Sequence, residues 1–252
     1  MNPIVENLVS RKSVRAFEDK PIPEDIKKEI LLAAFHAPTA GNQQLYTILD
    51  ITDQSLKDRL SVSCDHQPFI ARAPMVLIFC ADVQKWYDIF VDSNCNPREP
   101  GKGDLMLAVE DAAIAAQNSV TAAWGLGVGS CYIGDIMEHR EEQQKLLHLP
   151  RYVFPAVMLV FGYPTRQQSE RQKPRRFHFS YIVHQNGYHR MEGSRLRQML
   201  QNRIGSLSYE AWCRAFYLRK YHTGFSEDMN RSVREYLENF KHGGSSDAGK
   251  TG

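Results

Sequence analysis

From Leu105 to Leu126, apolar residues recur at helical spacing: Leu105, Val109, Ala112, Ala113, Ala116, Val120, Ala123 and Trp124. The wide stripe they form is rich in alanine. Alanine favours helix and lets neighbouring elements approach closely. A helix with such a face belongs in the middle of a core or at a large interface. The chain must therefore fold around this segment or pair through it.

The flanking sequence supplies strands to pack there. Met75–Ala81 is apolar at every residue, which reads as a strand buried on both faces. Val153–Gly162 reads the same way, and Tyr46–Thr52 and Ser130–Ile133 are shorter strand candidates. Helical periodicity appears at residues 4–9, 24–34, 54–63 and 138–147, and again at 194–199, 209–219 and 229–240. Asp82–Lys102 has no clear period, and its Cys95-Asn-Pro and Glu99-Pro-Gly segments read as irregular loop.

Charge and cysteine usage narrow the function classes. With 31 Lys and Arg against 29 Asp and Glu, the formal net charge is +2. That balance gives no bulk argument for nucleic acid, so a basic site must be local. The five cysteines are widely spaced and form no C-x-x-C pair, so neither a metal site nor a disulfide framework is expected. A reduced, cytoplasmic setting fits best. No apolar run is long enough for a membrane span, and Met1–Val9 lacks the pattern of a secretory signal.

Four segments carry candidate chemistry. Arg11-Lys-Ser-Val-Arg15 places Arg11, Ser13 and Arg15 at alternate positions, where guanidinium forks and a hydroxyl could grip a phosphate. A solvated basic helix end accounts for the same residues. Ala37-Pro-Thr-Ala-Gly-Asn-Gln-Gln44 is small, uncharged and rich in amides. Asn42 and Gln44 could meet a polyhydroxy chain or a heteroaromatic edge, or could simply form a connection. Gly125-Leu-Gly-Val-Gly-Ser-Cys-Tyr-Ile-Gly134 is not a dinucleotide fingerprint, because its glycines close a helix rather than open one. Arg171-Gln-Lys-Pro-Arg-Arg176 is a second basic cluster, which a solvated loop would also explain.

Together and in this order, Arg-x-Ser-x-Arg, Ala-Pro-Thr-Ala-Gly-Asn-x-Gln, Gly-Leu-Gly-Val-Gly-Ser-Cys-Tyr-Ile-Gly and Lys-Pro-Arg resemble the FMN-dependent nitroreductase and flavin reductase family. The likeness is strongest to its oxygen-insensitive subgroup and covers about residues 3–190. It implies an α+β sandwich, a mostly antiparallel sheet wrapped by helices, assembled as a homodimer with 105–126 in the interface. The expected organisation is a core over 1–190, a helical extension of the same domain over 191–242, and a disordered tail over 243–252.

The same resemblance implies site roles. Arg11, Ser13 and Arg175 match FMN phosphate contacts, and Arg15 and Lys173 match cations beside the N1 and O2 edge of the ring. Asn42 and Gln44 match ribityl or ring contacts from the second subunit. Gln67 matches a pyrimidine-edge partner, and Tyr132, Ile133, Gly134 and Asp135 match the segment facing flavin N5. Lys12 carries little information. The activity implied is hydride transfer from NADPH or NADH to nitroaromatic, quinone or related acceptors, with no side-chain acid or base. A flavin reductase serving a partner, a low-turnover flavin-binding protein and a nucleic-acid module are the competing classes. The last lacks aromatic residues interleaved with its basic clusters.

Overall fold

A computed structural model describes residues 1–241. The expected tail over 243–252 lies outside the described residues. The chain begins with α1 (Pro3–Ser10), α2 (Glu24–Phe35), β1 (Tyr46–Asp50), α3 (Gln54–Ser63), α4 (Pro68–Ala71) and β2 (Met75–Asp82). It continues through α5 (Gln84–Asp92), α6 (Lys102–Gly125), β3 (Gly129–Ile133), α7 (Arg140–Leu146), β4 (Val153–Gly162) and α8 (Arg166–Glu170). Then come α9 (Ser194–Ile204), α10 (Tyr209–Lys220) and α11 (Gly224–Glu238). Among the described residues, 1–171 and 228–241 form one compact unit, and Gln172–Glu227 form another.

In the first unit the strands make one sheet in the order β1-β2-β4-β3, antiparallel at every pairing. Side chains alternate across it, so Leu77, Phe79, Leu159 and Phe161 face one side and Val76, Ile78, Met158 and Val160 the other. The first side packs on the alanine face of α6, where Ala108, Ala112, Ala115, Ala116 and Ala123 are fully buried. Tyr236 and Phe240, at and beyond the end of α11, close the same layer. The second side packs on Leu60 of α3, with Ile70 and Ile136. Helices on both sides explain why β2 is buried at every residue and why its sequence shows no alternation. Fully burying side chains such as Phe79 and Phe161 contributes about 1.5–3 kcal/mol each.

The end of α6 has a definite cause. Gly127 takes φ 76°, Val128 N–H donates to Ala123 O at 2.8 Å, and Gly127 N–H donates to Trp124 O at 3.2 Å. This pair of bonds closes a helix on a left-handed residue and aims the chain back into β3. Within 82–102, the Cys95-Asn-Pro and Glu99-Pro-Gly segments are loop as expected, and α5 occupies the stretch before them, to which the sequence pattern assigns no element. The apolar residues of α5 form a stripe along one side, among charged and amide residues, which a search for long periodic runs passes over.

In the second unit, α9 and α10 bury no residue. They are joined by Arg197 donating to Glu210 at 2.8 Å while its guanidinium lies 4.4 Å from the Tyr209 ring centre.

Candidate active site

The Arg11–Arg15 stretch leaves α1 extended and runs beside β3, an edge strand. Val14 N–H donates to Ser130 O at 2.9 Å, and Ser13 forms a parallel bridge with Ser130. Val14 is fully buried against Gly129, where an added Cβ would come within 2.6 Å of a Val14 methyl. With Val14 turned inward, alternation puts Arg11, Ser13 and Arg15 together on the other side. All three act on one buried thiol. Burial pushes the Cys131 thiol up, while Arg15 and Arg11 charges and hydrogen bonds from Arg15 and Ser13 oppose that rise.

The stretch is fastened at both ends. Asn7 donates to Thr121 O at 3.0 Å, and the Trp124 indole donates to Ser10 Oγ at 2.9 Å, so α1 lies on the last turns of α6. Arg171 donates to Ser13 O at 2.7 Å. Lys12 donates to Ser169 O at 2.5 Å and to Arg171 O at 2.6 Å. Lys12, expected to be uninformative, therefore ties the cation stretch to the chain after α8. Its long-range partners are carbonyls, which leave no mark on the sequence. Arg11 Nη1 is buried and has no hydrogen-bond partner. A buried guanidinium nitrogen without an acceptor is costly unless an anion or water meets it.

Tyr132 is on the same strand, half-exposed, with its hydroxyl donating to Gln117 Oε1 at 3.1 Å. Burial pushes its phenol up to about 12, against the pull of the Arg11 charge. Ile133 is buried, and Gly134 opens a short turn over Gly134–Met137. A Cβ at Gly134 would meet nothing within 4 Å, so the backbone there has open space before it. Gln67 stands before α4, where its amide donates to Cys64 O at 2.9 Å. Burial pushes the Cys64 thiol up to about 12, with the Asp135 charge adding to the rise, and α3 packs on the Gly134–Met137 turn, which puts the Gln67 turn near the end of β3.

Asn42 and Gln44 belong to a strained loop. Gly41, Asn42 and Gln44 have φ of 56°, 56° and 52°. One buried carboxylate holds it: Asp111 of α6 accepts from Ala40 N–H at 2.9 Å and from Leu45 N–H at 3.0 Å. Thr39 Oγ1 accepts from Gln44 N–H at 3.2 Å, Lys85 donates to Gln44 O at 3.1 Å, and the Trp86 indole donates to Gln43 O at 2.8 Å. Sequence reasoning missed all three side chains that reach in from other elements. Only Asp111 left a signal: it shares the buried face with Ala108, Ala112 and Ala115, where a lone carboxylate needs donors.

Two groups of candidate residues are thus brought together separately. Arg11, Ser13, Arg15, Tyr132, Ile133 and Gly134 gather around β3, with Gln67 near its end. Asn42 and Gln44 hang from Asp111, ten residues before the Thr121 contact of α1, which is roughly 15 Å along a helix. Lys173 and Arg175 begin the second unit, where Arg175 O accepts from Arg203 at 3.4 Å. Among the described residues no group of His, Cys, Asp and Glu is arranged to hold a metal ion, and no helix is long and apolar enough to cross a membrane.

A helix-covered antiparallel sheet, with Arg11, Ser13 and Arg15 gathered beside an edge strand and an open backbone turn, defines an α+β protein. The chain belongs to the nitroreductase family, whose model matches residues 8–163. It is 34% identical over 188 residues to the oxygen-insensitive NADPH nitroreductase of Salmonella typhimurium, covering 75% of each chain. It is 32% identical over 177 residues to the FMN reductase [NAD(P)H] of Bacillus subtilis, covering 69% of this chain and 70% of that one. The solved structure of B. megaterium NfrA2 superposes with a TM-score of 0.80 at 26% identity, over 96% of this chain and 99% of that one.

Proposed function

We propose that this protein is an FMN-dependent oxidoreductase that moves hydride from NADPH or NADH to nitroaromatic, quinone or other electron-poor aromatic acceptors. The observation that carries the assignment of the cofactor site is the buried, partnerless Arg11 Nη1 beside Ser13. A flavin phosphate brings about two negative charges at neutral pH and would satisfy it. Bound FMN supplies the redox chemistry, taking hydride from the reduced nicotinamide and giving it to the acceptor. The work of the chain is to hold and tune it. Arg11 and Ser13 bind the phosphate. Arg15 favours electron uptake at the ring edge. Gln67 meets the pyrimidine edge, and the open backbone at Gly134, after Tyr132 and Ile133, lets the ring lie close. Asn42 and Gln44 bind the ribityl chain or ring. The likeness to the B. subtilis FMN reductase favours free flavin as a second acceptor.

The working form is a homodimer. In one chain the amide loop hangs from the middle of α6 and the cation stretch lies against its last turns, and in the proposed dimer a second copy brings Asn42 and Gln44 to Arg11 and Ser13. A groove of about 840 Å³ between α1, α2 and α6 supports this, as do exposed Ile4, Leu8, Leu32, Phe35 and Ile114 on those helices. The setting is the reduced cytoplasm, in keeping with five free cysteines. Replacing Arg11 by Ala tests the site. Losing one charge-assisted contact costs about 1.5–3 kcal/mol, roughly tenfold to over a hundredfold in FMN affinity. Undiminished FMN binding by a folded Arg11→Ala protein would remove the basis for this site.

A further inference from the structure

The first unit contains another cavity, of about 400 Å³, between α5, the 93–101 loop and the start of α6. One wall is aromatic, made by Trp86, Tyr87 and Phe90 of α5, and Leu107 of α6 lines it too. The ring centres of Trp86 and Phe90 are 5.7 Å apart and tilted by 37°. The Trp86 indole N–H is committed to Gln43 O at 2.8 Å, which fixes the ring as part of the wall. The cavity's polar lining residues include Gln43, Arg98 and Asp104. Arg98 grips Asp104 through both terminal nitrogens, at 2.6 and 2.9 Å, so its charge is already answered.

This chemistry selects a ligand. A cavity of this size is within the range of small-molecule sites, which are apolar with a few polar groups that orient the guest. Its aromatic walls favour flat rings in offset or edge contact. The Arg98–Asp104 pair disfavours a charged guest, because neither sign finds an unmet partner, while the remaining guanidinium N–H groups can donate to a neutral oxygen. We propose that the cavity binds a neutral, planar aromatic molecule of one or two rings, with a nitro or carbonyl oxygen turned to Arg98 and Gln43. This rests on the function proposed above and names a gathering site for its acceptors, since Gln43 sits between Asn42 and Gln44 in the loop assigned to the cofactor.

The test is equilibrium dialysis of the protein as purified with 5-nitroquinoline, without NADPH or NADH. Flavin content is measured on the same sample. Phe90→Ala removes one wall, and Leu107→Trp fills the space from the opposite helix. Each is expected to weaken binding by about tenfold or more, while Ile89→Ala, an exposed neighbour that does not line the cavity, leaves it unchanged. In the parent protein, saturation should quench the Trp86 part of the fluorescence, and Trp86→Phe should abolish that quench. If both wall variants bind 5-nitroquinoline as the parent does, the cavity is not the site and the idea fails. Absence of flavin from the sample would count against the oxidoreductase reading alone, because the dialysis needs no flavin.

Discussion

Replacing Asp111 by Ala should loosen the proposed flavin site from inside the fold. The carboxylate accepts from two backbone N–H groups, Ala40 at 2.9 Å and Leu45 at 3.0 Å, and is 2% exposed. Two charge-assisted bonds would together be worth about 3–6 kcal/mol, and a buried donor left unmet costs about 1–3 kcal/mol. Removing a buried carboxylate also releases its desolvation cost, several kcal/mol before relaxation. The Ala40 donor is only partly buried and can recover water, whereas the Leu45 donor is buried and cannot. The balance is a loss of about 2–4 kcal/mol of stability. The larger consequence is local. Asn42 and Gln44, unlike Gly41, keep left-handed backbone angles only while something holds them, and without Asp111 the loop relaxes. FMN affinity should therefore fall in addition to stability, with Asp111→Asn intermediate because it keeps one acceptor oxygen. Denaturant unfolding gives the first quantity and flavin release on dilution the second. Ser119→Ala is the control: Ser119 is buried on the same helix and donates to Ala116 O at 2.7 Å, away from the loop. It should lose stability and keep FMN. If Asp111→Ala holds FMN like the parent, or if Ser119→Ala sheds it equally, Asp111 does not position the site.

Three further outcomes concern cysteines and one buried carboxyl group. Cys95 is exposed and Cys213 partly so, while Cys64 and Cys80 are pushed to about 12 by burial and the Cys131 thiol is also raised. Iodoacetamide on the native protein should modify Cys95 first and leave Cys64, Cys80 and Cys131 intact until unfolding; early modification of Cys131 would contradict its burial. Cys131→Ser should likewise leave hydride transfer largely intact, and complete loss of flavin reduction in a folded, FMN-loaded variant would overturn that. Glu138 is held above its ordinary value of 4.5, first by burial and then by Asp135, Asp228 and Asp65, with His139 opposing. The native state thus keeps a proton that the unfolded chain has released, so stability falls as pH rises from 4.5 through the raised value. Glu138→Gln should remove that slope from urea unfolding measured across the window, and an unchanged slope would show that another group supplies it.

Much of the fold was legible from local pattern. The alanine stripe of 105–126 demanded a central helix, and the unbroken apolar run of β2 demanded a strand covered on both faces. Alternation in Arg-x-Ser-x-Arg was enough to put Arg11, Ser13 and Arg15 on one side. Such features are short-range, since the period of the backbone decides which side chains share a face. What the sequence could not disclose depends on groups brought together from distant positions. Asp111 reaches residues 71 and 66 positions away, Lys12 reaches carbonyls 157 and 159 positions away, and Trp86 holds a carbonyl 43 positions away. The acceptors or donors in these contacts are peptide groups, which every residue carries, so no residue type announces them. Only the folded chain decides which peptide groups lose water, and therefore which side chains must meet them.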